Sequence, residues 1–287
     1  MKIHIANYSE QNVGGGWSWI DNFISGAKRV NPNVSFVDYQ EAWYYLIPSA
    51  SMAQREQVKQ AKADGKKIIL RVDNALRHSR NRSTGMSRLK DFADMADVVI
   101  YQSLWAREII GGDFLGKGGA VILNGVDHDV FNSQGRIEST DMRYTYSRYN
   151  RDETKNWEVA RYTYQGESLL HGGKTILNII GRFSPELVEN NFDFYMNEKY
   201  KFWGVQPPAV IADILRNTDY LIYTFFNDAC SNTLIEAISC DCEVLDLYGH
   251  TKTGGASDII DTYNQRGVQY FSHLRMAREY LEVIGGV

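Results

Sequence analysis

The residues best placed to do chemistry lie in one run, Asn227-Asp228-Ala229-Cys230-Ser231-Asn232-Thr233-Leu234-Ile235-Glu236-Ala237. A strand-like stretch, Asp219 to Phe225, precedes it, and a helix-like stretch, Asn232 to Ser239, completes it. Asp228 and Glu236 therefore flank a predicted helix N-terminus in a strand–loop–helix unit. Free amides and the positive end of a helix dipole suit phosphate oxygens. A carboxylate one turn inside accepts hydrogen bonds from paired hydroxyls, as on a ribose. Together these parts suit a nucleotide sugar. A second reading stands beside it. Thr233-x-x-Glu236 also matches a capping box, in which Glu236 only satisfies backbone amides.

Three further places carry reactive or binding groups. Gly14-Gly15-Gly16 follows a first strand and precedes a helix, where glycine lets the backbone approach a ligand and present amides. It is not the G-x-G-x-x-G dinucleotide pattern, and a plain flexible turn explains it equally. Arg71-Val72-Asp73-Asn74 ends the strongest strand of the first half. A carboxylate there orients or deprotonates an acceptor hydroxyl, or Asp73 is a cap or turn residue. The stretch Arg77 to Arg88 holds four arginines, Arg77, Arg80, Arg82 and Arg88. They suit a phosphate-bearing or otherwise anionic acceptor, or simply a solvated loop. His4 reads as core, and His171 and His250 sit in glycine-flanked loops with no defined role.

The elements that must position these groups follow from pattern and composition. The chain has 287 residues, 44% hydrophobic and 23% charged, with a net charge of -4. Such a balance fits a globular protein of two domains and gives no global basic field for nucleic acid. Met1 to Ala6 is a strand pattern without the apolar run of a signal peptide, and no run reaches the ~18 residues of a membrane span. Three cysteines, Cys230, Cys240 and Cys242, give no disulfide framework and no zinc spacing, so reduced thiols and a cytoplasmic location are expected.

Strands and helices alternate, which argues for parallel sheets. Strands are expected at Lys2–Ala6, Lys66–Val72, Asp97–Tyr101 and Ala120–Leu123, with helices at Trp17–Arg29, Ser51–Ala63 and Ser103–Ile110. A second set has strands from Met142, Lys174, Tyr220 and Glu243, helices after Pro208 and Asn232, and a last helix over Leu274–Ile284. Domains are expected at 1–133 and 141–270, joined by a polar linker, with 271–287 a closing helix packed back on the first. The architecture expected is α/β, two doubly wound Rossmann-like domains facing across a cleft, with ligands at the carboxyl ends of the strands.

A resemblance sharpens this. Val121-Ile122-Leu123-Asn124-Gly125-Val126-Asp127 through Phe131 resembles the N-G-V-D…F segment of retaining family-four glycosyltransferases, which have the GT-B fold. Val99-Ile100-Tyr101-Gln102-Ser103-Leu104-Trp105-Ala106 resembles the strand–Ser–helix that precedes it. Phe202-Trp203-Gly204-Val205, with the helix and strand after it, looks like the nucleotide-side segment. Asp228-x7-Glu236 is similar to the E-x7-E element, with Asp in first position. The matches cover nearly the whole chain, in order.

The resemblance implies roles. Glu236 would bind the ribose, and the Thr233 and Leu234 amides the phosphates. Asp228, with the loop through Ala229 and Cys230, would contact the transferred sugar. Gly15 and Gly16 would line the diphosphate from the other domain. Arg148 and Lys155, with Arg151 as a substitute for either, match the cations that neutralise the departing diphosphate, a need set by the charge that develops on it; a solvated charge cluster is the alternative. The family often has His-Asp where this chain has Val72-Asp73. The implied activity is a metal-independent, retaining transfer of a sugar from a nucleotide-diphosphate donor to a glycan or other hydroxyl acceptor, with no cofactor beyond that co-substrate. Asp127-His128-Asp129 is formally D-x-D but lies in the matched turn. A sugar-nucleotide epimerase or hydrolase, a non-catalytic nucleotide-sugar binder, and transfer to modified nucleic acid remain as rivals.

Overall fold

In the computed structural model, residues 1–8, 15–74, 85–149, 155–182, 189, 196–226 and 228–287 are described. The chain divides into two compact units, one of Met1–Val126 with Asp261–Val287, the other of Asp127–Ile260. Among the described residues no helix is long and apolar enough to cross a membrane.

The first unit is built on a six-stranded sheet of β1 (Lys2–Ile5), β2 (Ser35–Phe36), β3 (Tyr44–Ile47), β4 (Lys67–Val72), β5 (Val98–Tyr101) and β6 (Ala120–Val121). Its spatial order is β2-β1-β3-β4-β5-β6, and every pairing is parallel. Such strands are covered on both faces and read as continuous apolar runs; Ile68, Ile69, Leu70 and Val72 of β4 are all fully buried. The helices are α1 (Gly15–Val30), α2 (Arg55–Ala63) and α3 (Gly85–Met95), followed by a π-helix over Ala106–Leu115. Order reverses between β1 and β3, the place where a doubly wound sheet opens a crevice.

The closing helix α8 (His273–Gly285) lies against α1. Trp19 stacks on Phe23 with centroids 5.3 Å apart, and Tyr280 meets these rings at 5.1 and 5.4 Å. Each such pair adds about 0.5–1.5 kcal/mol beyond area burial. Close approach depends on Gly26, where a Cβ would stand 2.7 Å from the His273 carbonyl oxygen. Ser272 caps α8 by accepting from the Leu274 amide at 3.2 Å.

The second unit has a five-stranded parallel sheet of β7 (Met142–Tyr149), β8 (Thr175–Gly181), β9 (Tyr200–Gly204), β10 (Tyr220–Ile222) and β11 (Glu243–Leu245). The order is β11-β10-β7-β8-β9, so the reversal falls between β7 and β10. Among the described residues its helices are α4 (Trp157–Leu170), α5 (Pro208–Arg216), α6 (Asn232–Ser239) and the first half of α7 (Gly254–Arg266), whose residues from Asp261 on belong to the first unit. Pro208 opens α5 at a position that lacks an amide partner anyway. The polar stretch after Phe131 is tied down: Arg216 donates to Val130 O at 3.0 Å, and the Ile137 amide to Asn217 Oδ1 at 2.8 Å.

Two parallel, helix-covered sheets are the architecture the alternation implies. Several elements differ from expectation. Gly15 and Gly16 are the first residues of α1 rather than a turn. α2 starts at Arg55, four residues later than its pattern suggests. β2, β3, β9, α3, α4 and α7 are not among the elements the sequence pattern predicts. α4 carries Thr163, Tyr162, Tyr164 and Gly166, all poor helix formers, and α7 opens on the glycine pair Gly254-Gly255; packing overrides propensity in both.

Candidate functional site

The switch point of the second sheet gathers the strongest chemical groups. Relative to β8, β7 contains one extra residue, Arg148, between Ser147 and Tyr149. A bulge of this kind bends a strand and re-aims the residues after it. The chain then enters Lys155 and Asn156. Asn156 takes φ 53°, a left-handed conformation that asparagine tolerates, and stands at the N-cap of α4.

This turn is fastened to the segment beyond β10. The Lys155 carbonyl accepts from the Thr224 hydroxyl at 2.6 Å and from the Tyr146 hydroxyl at 2.8 Å. Asn156 Nδ2 donates to Thr224 O at 3.5 Å. So anchored, the Lys155 ammonium lies 4.1 Å from the centroid of the buried Phe225 ring and 3.1 Å from Asp228 Oδ2. The Asp228 carbonyl in turn accepts from the Gly255 amide at 2.8 Å, at the start of α7. Sequence reasoning missed Tyr146, Asn156 and Thr224; their only signal is tertiary.

Beyond Asp228 the chain turns into α6, and every residue of that helix is buried. Ser231 is its N-cap, accepting from the Leu234 amide at 3.4 Å. Thr233 is thus the second helical residue, and Ser231 takes the cap position expected for it. The Leu234 amide, expected to face phosphate, already has the Ser231 hydroxyl as partner. Glu236 is 6% exposed within an otherwise neutral helix. Burying a carboxylate is costly unless hydrogen bonds compensate it. Ala229 and Cys230 are buried as well.

Burial pushes the Tyr223 phenol well above its usual range, with the Asp228 charge adding to the effect. Burial likewise raises the Cys240 thiol to about 12 and the Cys242 thiol further. Cys230, Cys240 and Cys242 are free thiols. Among the described residues no three His, Cys, Asp or Glu side chains cluster as a metal site does.

In the first unit, the corresponding switch point carries Gly16, where a Cβ would stand 3.1 Å from Met52 Sδ. Asn7, at φ 51°, donates to Met52 O at 2.5 Å. Asp73 follows β4 and is half-buried. Below it, Arg71 is buried, donating to Pro48 O at 2.6 Å and lying over Trp19 at 4.3 Å. Arg148 is placed in β7 by its backbone alone. Arg77, Arg80, Arg82 and Arg151 lie outside the described residues.

No protein-family model and no curated protein matches the chain. Solved structures do. Anabaena HepE in complex with UDP and glucose is similar at a TM-score of 0.70 and 13% identity, over 100% of both chains. Sucrose-phosphate synthase from Thermosynechococcus elongatus gives 0.67 and 10%, again over 100% of both. The apo lipopolysaccharide outer core galactosyltransferase WaaB gives 0.59 and 14%, over 100% of this chain and 99% of that one. At such identities the likeness establishes the fold, which is the GT-B fold of these glycosyltransferases.

Proposed function

We propose that this protein is a metal-independent, retaining glycosyltransferase that moves a sugar from a nucleoside-diphosphate donor to a hydroxyl acceptor. The observation that carries the reading is the Lys155–Asp228 pair at the β7/β10 switch point, beside the helix that holds buried Glu236. A donor's departing diphosphate develops negative charge, and a fixed ammonium lowers the barrier by meeting it there. Asp228, at hydrogen-bond distance from that ammonium, would accept from hydroxyls of the transferred sugar while keeping Lys155 aimed. Glu236 would accept from the two ribose hydroxyls. The Thr233 and Leu234 amides and the backbone of Ala229 and Cys230 complete the donor contacts. Arg148 is a second candidate cation.

The second unit is thus the nucleotide-sugar side and the first unit the acceptor side. There Gly15 and Gly16 would approach the diphosphate, and Asp73 would orient the acceptor hydroxyl. Arg77, Arg80 and Arg82 suit an anionic acceptor. Similarity to a HepE complex with UDP and glucose favours a uridine nucleotide donor.

The test is a thermal-shift series with UDP and the glucose conjugates of UDP, GDP and ADP, followed by product NMR with and without EDTA. A ligand at 100 times its Kd stabilises by about 2.7 kcal/mol. A rise in Tm with one conjugate, then an α-linked product from an α-linked donor in EDTA, is the expected result. Release of free sugar without any acceptor product would place the protein among hydrolases instead, and no rise with any nucleotide would reject the donor site.

A further inference from the structure

The segment after β11 wraps a single carboxylate. Asp246 accepts from the amides of Tyr248 at 3.3 Å, His250 at 2.8 Å and Thr251 at 2.7 Å, and from the Thr251 hydroxyl at 2.7 Å. Its Oδ1 also stands 3.2 Å from His250 Nδ1. Burial works against this charge, yet the Thr251 and His250 donors hold the carboxyl below its usual range. A carboxylate at Nδ1 sets that nitrogen as the protonated one, which leaves Nε2 an acceptor in the neutral ring.

His250 is only 2% exposed, and its Nε2 has no hydrogen-bond partner among the described residues. Two aromatic rings flank it. Phe226 meets it at 4.4 Å and 66°, Tyr248 at 6.0 Å and 68°. Both rings are nevertheless open to solvent, at 45% and 67%. Phe226 follows β10 and Tyr248 follows β11, so the cluster lies at the carboxyl end of the sheet, two residues from Asp228.

A ligand for this place must be apolar on a face and carry a hydroxyl donor at its edge. The buried Asp246 charge disfavours an anion there, because the imidazole beside it is only an acceptor when neutral. A pyranose ring meets each condition: its axial C–H face covers aromatic carbon, and its rim carries hydroxyls. We propose that Phe226, Tyr248 and His250 form a pyranose subsite, in which the rings take the C–H face and His250 Nε2 accepts from a sugar hydroxyl. It rests on the glycosyltransferase reading only for which sugar enters, that of the donor or that of a saccharide acceptor.

Saturation-transfer NMR on the full chain tests it, with the methyl pyranosides of glucose, galactose, mannose and N-acetylglucosamine. At least one shows transfer to its axial protons in the wild type. Its affinity falls at least fivefold in Tyr248→Ala and Phe226→Ala, solvent-facing changes that leave the fold intact, and returns in Tyr248→Trp. His250→Gln gives a comparable loss. Transfer to none of the four, or unchanged transfer in both alanine variants, overturns the proposal. Binding of UDP, GDP and ADP is followed in parallel: absence of all three from the wild type refutes the glycosyltransferase reading but leaves the saccharide result standing. Displacement of the glycoside by UDP-glucose and not by UDP assigns the subsite to the donor sugar, and simultaneous binding with UDP-glucose assigns it to the acceptor; either confirms a sugar site.

Discussion

Lys155 and Asp228 are 73 positions apart in the chain and meet at 3.1 Å, with side chains only 16% and 21% exposed. Neither group is where local sequence would hold it. The Lys155 turn is placed by Thr224 and Tyr146, and the Asp228 loop by the Gly255 amide. Partial burial makes the pair matter more than an exposed ion pair, and removal of one partner strands the other in a poorly solvated place.

Lys155→Ala is expected to lower kcat for sugar transfer by roughly 10²–10³, the usual effect of deleting one group that stabilises developing charge. Its cost to folding stability is on the order of 1 kcal/mol, since both groups keep some solvent. Steady-state kinetics alongside urea unfolding separate the two effects. Unchanged kcat in a folded variant would remove Lys155 from the site.

Glu236→Gln keeps size and burial while weakening a charged acceptor. Hydrogen bonds to charged groups contribute about 1.5–3 kcal/mol, so Kd for UDP should rise by roughly 10- to 100-fold by calorimetry. Deoxyuridine diphosphate, lacking one ribose hydroxyl, should discriminate far less between the two proteins than UDP does.

Gly125→Ala tests the packing that makes the Asn124-Gly125-Val126 run what it is. A Cβ at Gly125 would stand 2.5 Å from Ser272 O and 2.8 Å from the His273 amide nitrogen. Those atoms are backbone, held by the Val126 amide donating to Phe271 O at 2.9 Å and the His273 amide donating to Val126 O at 2.9 Å. Overpacking of this kind costs about 1–3 kcal/mol, read as a lower urea midpoint. An unchanged midpoint would show that the 272–273 backbone yields freely.

Acid should weaken the protein partly through Asp246. Its folded pKa lies below the ordinary 3.8. The group therefore contributes stability above the unfolded value, and that contribution fades as pH drops through the folded one. Calorimetric scans from pH 6 to pH 2.5 should show Tm falling below about pH 4, with a shallower fall in Asp246→Asn. Equal slopes for the two proteins would contradict the assignment.

Much of the fold was legible in the chain. Ile68, Ile69, Leu70 and Val72 suit a strand covered on both faces, and the alternation of such stretches with helical ones implies parallel sheets, because parallel neighbours need crossover connections. The order of the matched segments around Asn124 and Asp228 carried the same conclusion further, and the GT-B likeness agrees with it. Local patterning failed where packing outweighed propensity, as in α4 with its aromatic and β-branched residues, and in α7 behind two glycines.

Residue types and spacing by themselves determined that Asp228 and Glu236 belong to one strand–loop–helix unit, since both lie within a single short span. Only the tertiary structure decided which hydroxyl caps that helix, which cation reaches Asp228, and that His250 is held by Asp246 between two open rings. The Lys155–Asp228 pair and the Phe226–His250 contact join segments that a parallel sheet sets side by side, and side-chain distance across neighbouring strands is a property of strand order, not of sequence separation.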